Sequence, residues 1–407
     1  MARSGGTLPK KLHLEYTNHM ILKLLGHSAN DLYWFILPLV LPLLLVRYEL
    51  SYAGAGGILS VYLFVAAIGS FMLGKLSDRL SSRRILSSGF LLASLGLIAA
   101  GFAPNLTIFL LLMSVTAVGV STFHPVMYAI LDLDYPESKG KVMGLYESFG
   151  IGAILLMYLI NGYLLKWIGI RGVLILTAVP GLAIGLLYLS PSRFPISARK
   201  LAAMTANPDA AGRKALFRFA VFLSSVILRA MGVTAFLNFL PTIFASFLGL
   251  GGNTAAYGTA FYFAGAILGS LTAGKLFDRL NPLAVLVLGS SMIVLSILVL
   301  SLSLPLWIYP CVITILGFSA AGCVINQNLL MTRLGKHLGK GEVFGILMGV
   351  ITLTSAVSPA LFGLLIDFAG FRTALRILSL PLVFSIMILI VMLRTDRFSR
   401  SNPVEAP

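Results

Sequence analysis

Gly74-Lys75-Leu76-Ser77-Asp78-Arg79-Leu80 is followed 200 residues later by Gly274-Lys275-Leu276-Phe277-Asp278-Arg279-Leu280, and six of the seven positions are identical. Four more residues repeat at an offset of 201, where Gly144, Gly162, Gly169 and Arg171 match Gly345, Gly363, Gly370 and Arg372. Two matches at nearly the same offset indicate two similar halves in the same orientation. We place these halves at 1–190 and 215–407, joined by a polar linker at 191–214.

The composition is that of an integral membrane protein. Of the 407 residues, 58% are apolar and only 11% are charged, and the mean hydropathy is +0.96. Soluble domains are about 25% charged, so a soluble enzyme with a solvated surface is excluded. The net charge is +16. The basic residues flank apolar runs and do not form one basic face, which argues against nucleic acid as a partner.

Apolar runs separated by short polar or Gly/Pro breaks predict twelve spans, each roughly one membrane thickness or longer. The first and seventh exceed that thickness, and Pro38, Pro42 and Pro241 are the expected places for kinks. The predicted spans are 20–46, 52–75, 85–103, 106–131, 142–165, 172–190, 215–247, 254–275, 283–302, 305–330, 343–366 and 373–393.

The positive charges predict the orientation of these spans. Of the 30 Lys and Arg residues, 24 fall on one side, five fall on the other, and Arg229 lies inside the seventh span. Positively charged loops remain in the cytoplasm. Both termini are therefore expected there, and the chain is expected to be a multi-pass protein of the plasma (inner) membrane.

The loop signature at 74–84 resembles that of the major facilitator superfamily, and it recurs at the equivalent place in the second half. The first and fourth spans, with Gly26-His27, Asn30-Asp31 and Phe123-His124-Pro125, are similar to those of fosmidomycin-resistance-type exporters. The resemblance implies an all-α integral membrane fold of twelve helices in two parallel six-helix halves. It also implies alternating access, with substrate efflux against proton entry in the proton-linked exporters.

The signature loops are expected to act on conformation. The carboxylate of Asp78 can accept hydrogen bonds from amides at a nearby helix N-terminus, while the loop arginines bind lipid headgroups or carboxylates. By family resemblance this clasp stabilises one access state without contacting substrate. We assign to it Gly74, Asp78, Arg79, Gly274, Asp278 and Arg279.

Polar residues inside the first span are the main candidates for chemistry, because a charge at the centre of a membrane helix costs about 2.5–3.5 kcal/mol. His27, Asn30 and Asp31 lie at i, i+3 and i+4 on one helix face. A carboxylate beside an imidazole can hold or pass a proton. The alternative is a polar cluster that fastens the first helix to a neighbour.

Other spans add further candidates. His124 in the fourth span is either a substrate or proton site or a helix-to-helix hydrogen bond. Glu147 in the fifth either faces the pathway or reaches back to lysines at the cytoplasmic edge. Arg229 has no acidic neighbour on its own helix, so it is expected to pair with one of the two intramembrane acids or to meet an anionic substrate. Asn326 and Gln327 in the tenth span either line the cavity or bond neighbouring helices.

These residues favour a proton-coupled secondary transporter that exports a small organic molecule by alternating access. Uptake or facilitated passage by the same fold, export of a divalent metal, and a non-transporting membrane receptor stay open as alternatives. The chain lacks a Walker-type phosphate loop, a nucleophile elbow and a zinc helix motif, so we expect neither an enzyme nor a cofactor nor a resident metal. The expected partners are the substrate, protons and membrane lipids, and the expected state is a monomer.

Overall fold

The computed structural model describes residues 10–77, 81–135, 139–190, 213–334 and 340–395. Within these ranges the chain is helical and contains no β-strand, and nine segments are long and apolar enough to cross a membrane. The predicted all-α membrane fold is therefore confirmed. The helices are α1 (Lys10–Arg47), α2 (Tyr52–Ser77), α3 (Ser82–Ala100), α4 (Leu106–Ser121), α5 (Phe123–Asp134), α6 (Lys139–Leu189), α7 (Arg213–Thr242), α8 (Gly252–Arg279), α9 (Pro282–Leu300), α10 (Ile308–Leu334) and α11 (Lys340–Thr395).

The two longest helices each contain a kink at a glycine. α6 has 51 residues and α11 has 56, about twice the length that crosses a membrane. The kinks lie at Gly169 (φ 62°) and Gly370 (φ 73°), in the left-handed region that side-chain-bearing residues avoid. The predicted fifth and sixth spans lie on either side of Gly169, and the predicted eleventh and twelfth lie on either side of Gly370. The count of twelve spans stays a prediction.

The predicted fourth span, 106–131, is helical along its length, and only its helical hydrogen bonding is interrupted, at Thr122 between α4 and α5. α4 ends and α5 begins on either side of Thr122. Pro125 lies in the first turn of α5, where its missing N–H leaves no helical hydrogen bond unmade. Thr122 keeps a helical backbone conformation (φ −71°, ψ −27°), so His124 lies inside one apolar segment, Leu106–Tyr128, as predicted.

The predicted proline kinks differ in outcome. α1 continues as one helix through Pro38 and Pro42. α7, in contrast, changes into a π-helical turn at Ile243–Phe247 directly after Pro241 and Thr242. Such turns commonly accompany a proline that removes a helical hydrogen bond.

The helices pack mainly in two sets. In the first, α6 packs on α1 and α3, and α4 packs on α2 and α3. In the second, α10 packs on α8 and α9, and α11 packs on α7 and α9. The sets meet where α2 packs on α11 and where α6 packs on α8. The division into halves at 1–190 and 215–407 stays a prediction, and most of the linker (residues 191–212) lies outside the described residues.

Small residues allow the closest helix pairs. A Cβ on Gly265 of α8 would lie 2.0 Å from the carbonyl oxygen of Thr314, and one on Gly317 of α10 would lie 1.9 Å from that of Tyr262. In membranes, where the hydrophobic effect gives little attraction between helices, such backbone proximity supplies much of the packing energy. Any side chain at these two positions would push α8 and α10 apart.

The two sets are joined at the end of the bundle where α2 begins, which we call the outer end because the charges predict that it faces outside. The carboxylate of Asp367 in α11 accepts hydrogen bonds from the amides of Tyr52 (2.9 Å) and Ala53 (2.7 Å) at the start of α2. A Cβ on Gly363 would lie 2.1 Å from the carbonyl oxygen of Tyr52. We call Asp367, Tyr52 and Ala53 the outer latch.

The predicted orientation can be tested at the two ends of α9. Leu280 lies just before this helix and is 52% exposed. Leu306 lies beyond its end and is 57% exposed. In a background with Cys311 and Cys323 replaced by serine, we expect Leu280→Cys to react with an impermeant thiol reagent only from the cytoplasmic side. Leu306→Cys should react only from outside. The reverse pattern would overturn the assignment of both termini to the cytoplasm.

Candidate substrate and proton site

The predicted face of α1 forms the centre of a polar cluster. His27 and Asn30 are buried and Asp31 is largely so. His124 of α5 joins them, with its Nε2 atom 3.5 Å from Oδ1 of Asp31. Nε2 of His27 lies 3.4 Å from Oδ2 of the same carboxylate. The carboxylate of Asp31 therefore lies between two imidazole rings that come from different helices.

His27 is held in one orientation by α6. Its Nδ1 atom lies 2.7 Å from the carbonyl oxygen of Tyr146, and the two rings stack with centroids 3.8 Å apart and an interplanar angle of 7°. A carbonyl oxygen can only accept, so Nδ1 carries the ring proton and Nε2 of the neutral ring presents a lone pair. That lone pair faces Oδ2 of Asp31 and has no hydrogen-bond partner. A proton between the two atoms would turn this acceptor–acceptor contact into a hydrogen bond.

Asn30 orients the second imidazole. With its amide oxygen towards α5, it accepts from Nε2 of His124 and from Nε1 of Trp34, both at 3.2 Å, while its nitrogen donates to the carbonyl oxygen of Val120 at 3.3 Å. In this orientation all three contacts pair a donor with an acceptor. Nε2 of His124 is then protonated, and Oδ1 of Asp31 lies 3.5 Å from it.

The same three side chains raise the question of a divalent metal. His27, Asp31 and His124 each offer a ligand atom, and these atoms lie within 4.8 Å of one another. A metal would need a lone pair on the His124 nitrogen that faces Asp31. With the amide oxygen of Asn30 towards His124, that nitrogen carries a proton, and in this orientation the hydrogen bonds of the cluster fit a proton better than a metal ion.

A glycine that the sequence did not single out allows this cluster to form. A Cβ on Gly150 of α6 would lie 2.3 Å from Oδ2 of Asp31 and 2.6 Å from Cε1 of His27. Such distances are far inside van der Waals contact, so any side chain at position 150 would displace the carboxylate or the imidazole. The only sequence signal was the small-residue pair Gly150 and Gly152.

Glu147 lies beside the cluster. Its Oε1 atom accepts a hydrogen bond from the hydroxyl of Tyr128 at 2.8 Å, and the ring of Tyr128 stacks on His124 with centroids 5.5 Å apart. The side chain of Tyr128 therefore links Glu147 to His124, the imidazole beside Asp31. This partner differs from the lysines at the cytoplasmic edge, whose side chains lie outside the described part of the chain.

Arg229 does not pair with Asp31 or Glu147, which corrects one of the two alternatives for it. Its Nη2 atom donates to Oε1 of Gln327 in α10. Among the described side chains, no carboxylate lies within 4.0 Å of the guanidinium. Asp31 and Glu147 lie in the first set of helices, and Arg229 lies in the second. In this conformation their side chains are too far apart to form an ion pair.

The other predicted residues have different surroundings. Asn326 is buried and donates to the carbonyl oxygen of Gly322 on its own helix, so it does not join Arg229. Asp78 and Arg79 of the predicted clasp lie outside the described residues. Gly74, Gly274, Asp278 and Arg279 lie in the final turns of α2 and α8, where only the backbone is described.

A helical membrane bundle with ionisable side chains buried inside it is the arrangement of a membrane transporter. The profile of the Major Facilitator Superfamily matches residues 24–342. The chain therefore belongs to the Major Facilitator Superfamily. It is a multi-pass secondary transporter of small molecules and not an enzyme.

Individual proteins that resemble this chain in sequence or in fold agree with its assignment to this superfamily. The chain is 25% identical over 354 residues to Multidrug resistance protein MdtG of Rahnella sp., an alignment that covers 81% of each chain. It is 30% identical over 198 residues to the putative niacin/nicotinamide transporter NiaP of Bacillus subtilis, covering 47% of this chain and about half (49%) of that protein. The crystal structure of a bacterial homolog of the human lysosomal transporter Spinster superposes with a TM-score of 0.74 over 98% of this chain and 100% of the other. At 15% sequence identity, this last likeness concerns the fold alone.

Proposed function

We propose that the chain is a proton-coupled antiporter that exports a small organic molecule by alternating access. The observation that carries this proposal is the position of Asp31, whose carboxylate oxygens lie 3.4 Å and 3.5 Å from the imidazoles of His27 and His124. Imidazole and carboxylate are the groups that exchange protons most readily near neutral pH. Their burial inside a membrane helix bundle is costly and typical of a proton pathway.

The contacts of the cluster connect proton binding to helix position. His27 and Asp31 are on α1, His124 is on α5, and Tyr146 and Glu147 are on α6. A proton added between His27 and Asp31 would join these two side chains of α1 by a hydrogen bond. It would also reduce the negative charge of the carboxylate that faces His124 of α5. The protonated and unprotonated clusters thus favour different arrangements of three helices, which is what coupling requires.

The outer latch supports alternating access. Asp367 caps the amides of Tyr52 and Ala53 and so closes the outer end between α2 and α11. Ser60 adds a second contact between the same two helices about two turns further along α2, since its hydroxyl oxygen accepts from the amide of Ala360 at 3.1 Å. A transporter that opens to the outside has to break these bonds, so the described conformation is one in which the outer end is closed.

Export is supported by the similarity to Multidrug resistance protein MdtG, which covers 81% of each chain. Uptake by the same fold is the second candidate, and the similarity to the niacin/nicotinamide transporter NiaP favours it. The two candidates differ in the sign of proton coupling. Export by antiport moves substrate against the protons, whereas uptake by symport moves the two together.

An experiment in liposomes tests both points without knowledge of how the protein is oriented. The purified full-length protein would be reconstituted and supplied with radiolabelled nicotinate, nicotinamide or the dye ethidium under an imposed pH gradient. An antiporter accumulates its substrate in liposomes that are acidic inside, because outward proton flow drives substrate inward. A symporter accumulates it only in liposomes that are alkaline inside.

We expect accumulation of at least one compound in the acidic-inside liposomes and its loss when a protonophore is added. Accumulation only in alkaline-inside liposomes would replace export by uptake. Equal internal and external concentrations under both gradients would contradict proton coupling altogether.

A further inference from the structure

We propose that an ion pair between Lys23 and Asp134 sets the proton affinity of the site formed by His27 and Asp31. The pair lies towards the end of the bundle opposite the outer latch, which we call the inner end. Lys23 acts here as a positioning residue, because its charge determines where the proton resides without carrying that proton. The inference rests on the proposed function and concerns the control of the same site.

Lys23 is buried in a place where lysine is rarely buried. It lies in the apolar segment Met20–Arg47 of α1 and is 5% exposed. Its Nζ atom donates a hydrogen bond to Oδ2 of Asp134 at the end of α5 and lies 5.0 Å from the centre of the Tyr135 ring. Lysines near the end of a membrane helix normally extend their ammonium group to the interface. The ammonium group of Lys23 is instead held between α1 and α5.

The spacing along α1 places this charge in line with the proton site. Lys23, His27 and Asp31 follow one another at intervals of four residues, so they share one face of the helix. The rise of the helix puts the backbone of His27 about 6 Å from that of Lys23 and that of Asp31 about 12 Å from it. Because Coulomb repulsion weakens with distance, Lys23 opposes a positive charge at His27 more than at Asp31. A proton shared by the two side chains is therefore drawn towards Asp31.

Other ionisable groups surround the site, but they do not duplicate Lys23. Among the described side chains they are Tyr62 on α2, His124, Tyr128 and Asp134 on α5, and Tyr146, Glu147 and Tyr188 on α6. Tyrosine is uncharged below about pH 10. Arg229 of α7 bonds to Gln327 in the second set of helices. Lys23 is thus the fixed positive charge on the helix face that carries the site.

The fluorescence of Trp34 provides a test that needs neither substrate nor a pH gradient. Its ring lies 6.2 Å from that of His124 and its Nε1 atom donates to Asn30, so its emission responds to the charge of the cluster. The other two tryptophans, Trp167 and Trp307, are exposed and would be replaced by phenylalanine to give the reference protein. The purified full-length protein in a neutral detergent would be titrated between about pH 5 and pH 9.

We expect one midpoint in the reference protein and opposite shifts in two variants. Lys23→Gln removes a positive charge, which strengthens proton binding, so the midpoint should rise by roughly 0.5–1.5 pH units. Asp134→Asn removes a negative charge and should lower it by a smaller amount, because water screens a carboxylate whose side chain is 37% exposed. The double variant should return close to the reference. An ion pair that only fastens α1 to α5 is broken in both single variants and would not give shifts of opposite sign.

Two further variants serve as controls. Lys23→Arg keeps the charge and should stay within about 0.3 pH units of the reference. Lys166→Gln removes an exposed lysine from the other end of the first segment of α6 and should have no effect. Asp134→Asn remains decisive if Lys23→Gln does not fold.

An unchanged midpoint in Lys23→Gln and Asp134→Asn, or shifts in the same direction, would overturn this inference and leave proton coupling to the liposome experiment. Absence of a midpoint in the reference protein would overturn the inference together with the proton site at Asp31.

Discussion

Asp31→Asn is expected to abolish accumulation driven by a pH gradient while leaving exchange of substrate for substrate intact. The asparagine keeps the shape of the side chain but cannot take up or release a proton, so the cluster is held as if permanently protonated. Net transport requires that a proton leave in each cycle, whereas exchange returns the substrate without that step. We expect gradient-driven accumulation to fall to the level of empty liposomes, with exchange measured in the same preparation.

Two further variants sharpen this test. Glu49→Gln removes a carboxylate from an exposed loop and should accumulate substrate at the parental rate. Glu147→Gln removes the acid that lies behind Tyr128 and should reduce the rate less than Asp31→Asn, since its carboxylate contacts the cluster only through that tyrosine. If Asp31→Asn accumulates substrate as the parent does, the proton is carried elsewhere and the proposed role of Asp31 is wrong.

Asp367→Asn is expected to shift the population of the transporter from closed to open at the outer end. The carboxylate accepts two backbone hydrogen bonds at the positive end of α2, an arrangement that contributes about 1–3 kcal/mol. An asparagine oxygen carries no charge, and its amide nitrogen cannot accept. A loss of roughly 1.4–2.8 kcal/mol would raise the ratio of open to closed molecules by about 10- to 100-fold.

Distances between spin labels measure this shift. With Cys311 and Cys323 replaced, labels at Glu49 and Trp307 report the separation of the first and second helix sets at the outer end, and Trp307 is 74% exposed. We expect a longer-distance population to appear in Asp367→Asn. The matched control is Asp134→Asn, which removes the partner of Lys23 between α5 and α1 and should not lengthen this distance. Identical distance distributions in Asp367→Asn and the parent would show that the latch does not hold the outer end.

Local patterns allowed the sequence to predict much of this architecture. The i, i+3, i+4 spacing placed His27, Asn30 and Asp31 on one face of α1, and the structure confirms that they lie together. Repeated glycines at 169 and 370 separated adjacent predicted spans, and both are kinks with positive φ. These features depend on the periodicity of a single helix or on the conformation of one residue. Both can be predicted from residues that are close together in the sequence.

Contacts between helices were predicted less well. The sequence predicted either an intramembrane acid or an anionic substrate as the partner of Arg229, and the structure pairs it with Gln327. The attraction between opposite charges does not indicate which helices pack together, so the sequence could not exclude the acids. Gly150 was not recognised as part of the site, since the steric need for a missing Cβ arises only when α6 packs against α1.

The glycine kinks also determine how far the ends of the long helices can travel. The two segments of α6 meet at Gly169, so a rotation at that residue would move the segment that carries Glu147 as a lever. From Gly169 back to Lys139 this arm is about 45 Å long, and Glu147 lies about 33 Å from the fulcrum. A swing of about 10° at the glycine would carry Glu147 through roughly 6 Å, which exceeds the length of a hydrogen bond. A modest rotation at one residue is thus enough to make or break every contact that α6 has with the proton cluster.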